Sequence, residues 1–347
     1  MGKKTKQHFV PKSYLSAWCF DEKQVFICDL ESKDIHHGEP KSILRKKNLY
    51  TNKDFGEEQK LLLEDLFGEI ESDGMPALRK IVEKVKIDHI DRSKIAWFIA
   101  AQKARVPMQM EIAEEIAVKA ATKRMLENIE EEDKFDDLVK YLEKKNTKNI
   151  EEVKKDPKKY FTDLAKKVRE GAFSVSVKNK KEYWQLIMFK MLKPLSVNYL
   201  ESDWYVLRAG KGKAFITSDN PVVTISDAGG LENPLKKYVK DIEVTFPVSP
   251  KVMILIKIAG GKRGLYELST YEDLDSVKEL NYRTTSFADR FTISNSEALL
   301  RANLERHYAT WDKIRKNQGI EQIIQGRVPT VNSEKGNIPP FLRRSYK

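Results

Sequence analysis

The stretch Lys213-Ala214-Phe215-Ile216-Thr217-Ser218-Asp219-Asn220-Pro221-Val222-Val223-Thr224-Ile225 decides how the fold is read. The apolar run Phe215-Ile216 stops at a polar corner, Ser218-Asp219-Asn220-Pro221, and a β-branched run follows at once. This is the pattern of strand, tight corner, strand. Asn220 is held extended by the proline after it, and Pro221 fixes its own φ and has no N–H. Such a corner projects the Ser218 and Asp219 side chains from a rigid backbone. They serve either as Asx-type turn groups that satisfy local amides or as part of a site.

Short strands surround this corner. Trp204–Leu207 reads as one. Ile242, Val244, Phe246 and Val248 alternate, with Pro247 and Pro250 placing that strand at an edge or at its own end. Val252–Ile256 is continuously apolar, as in a strand buried on both faces. Tyr271–Glu279 reads as helical, Phe291–Ser294 as a last strand, and Glu297–Tyr308 as a closing helix. The succession predicts a meander-like, mostly antiparallel sheet.

Helices precede it. In the helical pattern from Glu57 to Val85, interrupted near Gly74-Met75-Pro76, Leu63, Leu66, Phe67 and Ile70 form a buried stripe. Glu64 and Glu71 stack at its flank, while Asp65 and Glu69 point away. Asp91-Arg92-Ser93 caps the next helix, whose buried face runs through Ile95, Phe98 and Ile99. Continued by three and four residues, that face lands on Gln102 and Arg105, where Leu or Ile is due. A buried arginine stays charged and wants a carboxylate or a phosphate. Arg105 therefore either meets a ligand or ties down Glu64 or Glu71. Pro107 is expected to kink this helix, and a later helix, Lys181–Leu192, to stop before Pro194. Near the N-terminus, Val25–Cys28 and a partner strand near Ile35 suggest a hairpin with His36-His37 in its turn.

The fold class is α+β: an N-terminal helical layer packed on a mostly antiparallel sheet from the C-terminal half. Residues 1–320 read as a single domain and 321–347 as a basic, flexible tail. Residues 111–170, dense in charge and poor in aromatics, read as a helical insertion or lid.

Lys and Arg number 63 against 52 Asp and Glu, a net charge of +11. The excess fits an anionic partner or a Lys-rich soluble surface. A basic arm (Lys3, Lys4, Lys6, Lys12) and the tail (Arg343, Arg344, Lys347) would supply sequence-independent attraction to nucleic acid. The two cysteines, Cys19 and Cys28, make neither a disulfide framework nor a CxxC pair, which points to a reduced, cytoplasmic compartment. No apolar run approaches the roughly 18 residues of a membrane span. The phosphate-binding glycine loops, HExxH, GxSxG and zinc-spaced Cys/His patterns are absent.

Gln7-His8-Phe9-Val10-Pro11-Lys12-Ser13-Tyr14-Leu15, the Gln102/Arg105/Pro107 spacing, Phe215–Val222 and Phe246-Pro-Val-Ser-Pro250 together resemble domain-of-unknown-function family 4238. The resemblance covers roughly residues 5–310. It implies a shared pattern through His8, Tyr14, Gln102, Arg105, Ser218, Asp219 and Pro221; it groups the chain without assigning a chemistry.

Two functions are weighed. In the first the chain is a hydrolase, of nuclease or phosphodiesterase type, with His8, Glu71 and Asp219 as catalytic groups. Gln102, Arg105, Ser218 and Tyr14 then meet the substrate. A divalent metal is compatible with this set, and the sequence specifies neither a cofactor nor a protein partner. In the second it is a non-catalytic module that binds an anion or a partner, with His8, Glu71, Arg105 and Asp219 joined in a structural polar network.

Overall fold

The computed structural model describes residues 6–51, 62–172, 176–226, 242–258, 264–271 and 274–309. The start of the basic arm, residues 57–61, the Gly229-Gly230 loop and the tail lie outside them. The elements are β1 (Lys6–His8), α1 (Lys12–Leu15), β2 (Val25–Asp29), β3 (Ile35–Gly38), β4 (Arg45–Lys47), α2 (Leu62–Val82), α3 (His89–Ala104) and α4 (Pro107–Glu130). Then come α5 (Phe135–Lys144), α6 (Ile150–Lys155), α7 (Pro157–Arg169), α8 (Lys180–Leu200), β5 (Asp203–Ala209), β6 (Thr217–Ser218) and β7 (Val223–Ser226). β8 (Ile242–Ser249), β9 (Val252–Ile258), β10 (Leu265–Tyr271), α9 (Leu274–Ser286) and β11 (Phe291–Ser294) follow. A helix over 297–309, α10, ends the described part. The fold is α+β.

The chain divides into two compact units. Met110–Ile187 forms one, which contains the charged stretch 111–170. Its interior is a small cluster of Ile129, Phe135, Val153, Phe161 and Ala165, with Phe135 and Phe161 at 5.0 Å between ring centroids. Its exterior carries ion pairs such as Lys154–Glu143 at 2.7 Å and Lys158–Glu132 at 2.6 Å. Both are solvent-exposed pairs of small energetic weight.

Met1–Gln109 and Met188–Lys347 form the other unit. It holds a five-stranded sheet of order β10-β5-β9-β8-β7, antiparallel except for the parallel β10–β5 pair, and a four-stranded antiparallel sheet of order β3-β2-β11-β6. β1 and β4 make a separate antiparallel pair with His8 opposite Arg45. The apolar run in β9 makes it central, between β5 and β8. β8 is also interior, so of the two places its prolines allow, the sheet edge or the end of the strand, they take the end: Pro247 lies two residues from it and Pro250 just past it. Pro247 is accommodated where the β8–β9 register shifts between Pro247 and Ser249. The helical layer meets this sheet through aromatic rings: Phe246 of β8 stacks on Tyr14 of α1 at 5.3 Å and approaches Phe98 of α3 at 6.1 Å.

Several proline and cap expectations are corrected. α2 runs unbroken through Pro76 and α8 through Pro194. Pro107 does not kink α3; that helix ends at Ala104, and Pro107 opens α4, where a missing N–H is harmless. The cap of α3 is Asp88, three residues before Asp91: Asp88 accepts from the Asp91 amide and Asp91 accepts from that of Asp88, a reciprocal box. His36 and His37 belong to strand β3 rather than to a turn. Gly74 is a packing glycine, since a Cβ there would lie 2.8 Å from the Cβ of Phe98. Among the described residues no helix is long and apolar enough to cross a membrane.

Candidate functional site

The polar break in α3 is a closed hydrogen-bond node. Arg105 is 1% exposed. Its Nη1 donates to Glu71 Oε1 at 2.6 Å, and Nε and Nη2 donate to Gln102 Oε1 at 3.1 and 2.7 Å. Phe67 lies 5.3 Å from the guanidinium carbon. Gln102 then uses its own Nε2 to donate to the Phe9 carbonyl at 2.9 Å. Tyr50 adds a bond from its hydroxyl to the Arg105 carbonyl at 3.0 Å, while its amide donates to Gln7 Oε1 at 2.6 Å. Of the two acids proposed for Arg105, Glu71 is its partner.

This node forms one side of a groove of about 880 Å³. His8, Lys12, Ser13, Glu64, Phe67, Glu71 and Arg105 line it, and so do Asp65 and Glu69, which the helical wheel had pointing elsewhere. His8 Nε2 is buried there and has no hydrogen-bond partner among the described residues. Burial and the Arg45 cation opposite depress the His8 pKa below its ordinary value. Hydrogen bonding to the backbone of Lys41 and Pro40 and the charge of Glu71 pull the other way. With its other nitrogen committed to backbone, the neutral ring keeps a lone pair on Nε2. The structure thus brings His8, Glu71 and Arg105 to one groove.

Tyr14, Ser218 and Asp219 do not line that groove. Tyr14 is buried, its hydroxyl 2.6 Å from Thr217 Oγ1 and donating to the Pro247 carbonyl at 2.5 Å; burial pushes its pKa far up. Asp219 is 3% exposed. It accepts the amides of Asp289 at 2.8 Å, Arg290 at 2.7 Å and Phe291 at 2.9 Å, clamping the segment that enters β11. Burial and the neighbouring Asp289 push its pKa up to about 7 against the pull of those amides. Ser218 Oγ accepts the Asn220 amide at 3.2 Å, and Asn220 Nδ2 donates to the Phe287 carbonyl at 2.8 Å. The corner is buried, with the Ser218 hydroxyl on a turn amide and the Asp219 and Asn220 side chains bound to the segment 287–291.

Lys103 was missed by the periodicity. It is 8% exposed, its Nζ donates to the Val222 carbonyl at 3.2 Å, and burial lowers its pKa to about 8. The available signal was its place in the alanine-rich run Ala100-Ala101-Gln102-Lys103-Ala104, which packs on every face. Lys12, Ser13 and Gln7 were also missed as site or network residues, although they lie in the quoted N-terminal pattern. Among the described residues no three His, Cys, Asp or Glu side chains are grouped to hold a metal ion.

No curated protein and no solved structure matches the chain. A family model described as "Protein of unknown function (DUF4238)" matches residues 6–298. The match runs from β1 through the Arg105 node and the Asp219 corner into α10, and the chain belongs to that family.

Proposed function

We propose that the groove is a hydrolytic site with His8 as its general base. The observation that carries this reading is the buried, unpartnered Nε2 of His8 in a groove that Glu71 also lines. A neutral imidazole with a free lone pair takes a proton from water as the water attacks a substrate carbonyl or phosphorus. Glu71 offsets the positive charge that then develops on the ring, an influence already present in the His8 environment. Arg105 positions Glu71, and Gln102 positions Arg105. Tyr14, Ser218 and Asp219 act as scaffold.

Charge narrows the substrate. Among the described lining residues, Glu64, Asp65, Glu69 and Glu71 outnumber the cations Lys12 and Arg105, the latter already paired with Glu71. The groove itself favours neutral or cationic groups around the reacting bond. A nucleic-acid substrate in this scheme draws its attraction from the basic arm and tail.

The pairing of Arg105 favours a second reading. Three of its five guanidinium N–H donors end on Glu71 and Gln102, as in a structural network, and the groove then binds a partner without turnover. The test is a panel of bis-p-nitrophenyl phosphate, p-nitrophenyl phosphate, p-nitrophenyl acetate, plasmid and RNA, with Mg²⁺ or Mn²⁺ and with chelator. The expected result is turnover of at least one substrate that drops about 10²–10⁴-fold in His8→Ala. Turnover that survives in His8→Ala, or none across the panel, overturns the hydrolytic reading.

A further inference from the structure

A second cavity, of about 1050 Å³, shares no lining residue with the His8 groove and is built from four separate segments. Lys213 comes from the loop after β5, Lys251 from the β8–β9 turn, Lys278 from α9 and Arg306 from α10. Glu279 is the one carboxylate among the described lining residues, and it already accepts from Arg306 at 3.1 Å. The cationic excess is held in place. Asn281 accepts the Ile216 amide at 3.0 Å and donates to the Ala214 carbonyl at 2.9 Å, pinning the loop to α9. Lys251 Nζ donates to the carbonyl of Lys213, which ties the β8–β9 turn to the loop after β5.

Ser276 and Val277 near the start of α9 line the same space, as does Ser296, whose Oγ accepts the Leu299 amide of α10 at 3.3 Å. Helix N-termini carry partial positive charge and open amides that suit phosphate oxygens. Val277, Leu299 and Ala302 add an apolar wall. The volume exceeds that needed by a lone phosphate and matches a nucleotide-sized ligand. We infer that this cavity binds a small phosphate-bearing ligand of nucleoside-diphosphate size, separately from the His8 groove.

The test is calorimetric titration of the full chain with ADP, pyrophosphate and adenosine at about 0.15 M salt. ADP and pyrophosphate are expected to bind and adenosine not to. The Lys213→Met/Lys278→Met double variant should bind ADP at least tenfold more weakly with an unchanged melting temperature. His8→Ala should bind ADP like the parent chain, which separates this site from the proposed hydrolytic one. No heat with either phosphate compound, or equal ADP affinity in the double variant, overturns the inference. So does a DNA duplex that binds with the same variant dependence when ADP does not, since that assigns the surface to nucleic acid.

Discussion

Gln102 donates to the carbonyl of Phe9 at 2.9 Å, so the side chain that orients Arg105 also holds the backbone next to His8. The order of residues is Phe9, Gln102, Arg105 and Glu71, which lines the same groove as His8, the neighbour of Phe9. An out-of-pattern helix face and an N-terminal strand are thereby one construction.

That construction predicts strong coupling. Gln102→Leu strips two donors of the buried guanidinium of their acceptor. It should destabilise the chain by about 3–5 kcal/mol, the range for breaking a buried charged partnership. Gln102→Leu/Arg105→Met removes the charge as well and should lose less than Gln102→Leu alone. Urea unfolding of the parent, both single variants and the double variant measures this. A double-variant loss equal to the sum of the single losses would show that the two residues act independently.

Lys103 predicts an alkaline gain in stability. Its folded pKa is about 8 against an ordinary 10.5, because burial opposes the charge. Below about pH 8 the native state carries a buried ammonium, at a cost of roughly 3 kcal/mol for a shift of this size. Between pH 8 and 10.5 the unfolded chain still binds the proton and the native chain does not, so stability rises with pH across that window. Lys103→Met should flatten this rise. At pH 7 it should stabilise the chain by about 2 kcal/mol, the relieved burial less one hydrogen bond. An unaltered slope in that variant would locate the proton elsewhere.

The Asp219 clamp separates scaffold from site. Asp219→Ala orphans three amides and should cost about 3–5 kcal/mol, at roughly 1–3 kcal/mol for each buried donor that water does not reach. Asp219→Asn keeps one oxygen, enough for the Arg290 and Phe291 amides that share Oδ2, and should cost about half as much. Equal stability of the two variants, by thermal melting, would rule out the amide clamp as the role of the carboxylate.

Gly74→Ala tests the contact between α2 and α3. The added methyl meets Phe98 at 2.8–2.9 Å, and a crowded core contact of this kind costs about 1–3 kcal/mol. A helix-interior alanine would otherwise be favourable by up to about 1 kcal/mol. A net gain in melting temperature would mean that Phe98 moves aside freely.

Much of this fold was legible in the sequence where periodicity is strong. β9 stands out as an unbroken apolar run, β11 and α10 as short regular segments, and Gln102/Arg105 as polar residues on an apolar face. What escaped depends on partners distant in the chain. Whether Pro76, Pro194 and Pro247 break an element depends on what satisfies the neighbouring backbone, and tertiary packing decides that. The groove was half visible: His8, Glu71 and Arg105 were singled out, but their meeting relies on Gln102 reaching 93 residues back to Phe9. The Asp219 corner reads from sequence as a rigid turn or a site, and the partners of its carboxylate, three amides from residues 289–291, lie about seventy residues on, beyond the reach of local turn chemistry.

The four-stranded sheet has one further consequence, for the order of assembly. β2 and β3 leave the ribosome within the first 38 residues, whereas β6 arrives at Thr217 and their direct neighbour β11 only at Phe291–Ser294. The early hairpin must wait, one edge unpaired, for about 250 residues of synthesis, from Gly38 to Phe291, before its sheet can close. Contacts of such separation close slowly and leave strand edges exposed to other chains meanwhile. Translation halted before β11 should therefore yield a nascent chain that chaperones hold and proteases cut, and release past residue 294 should mark the onset of protection.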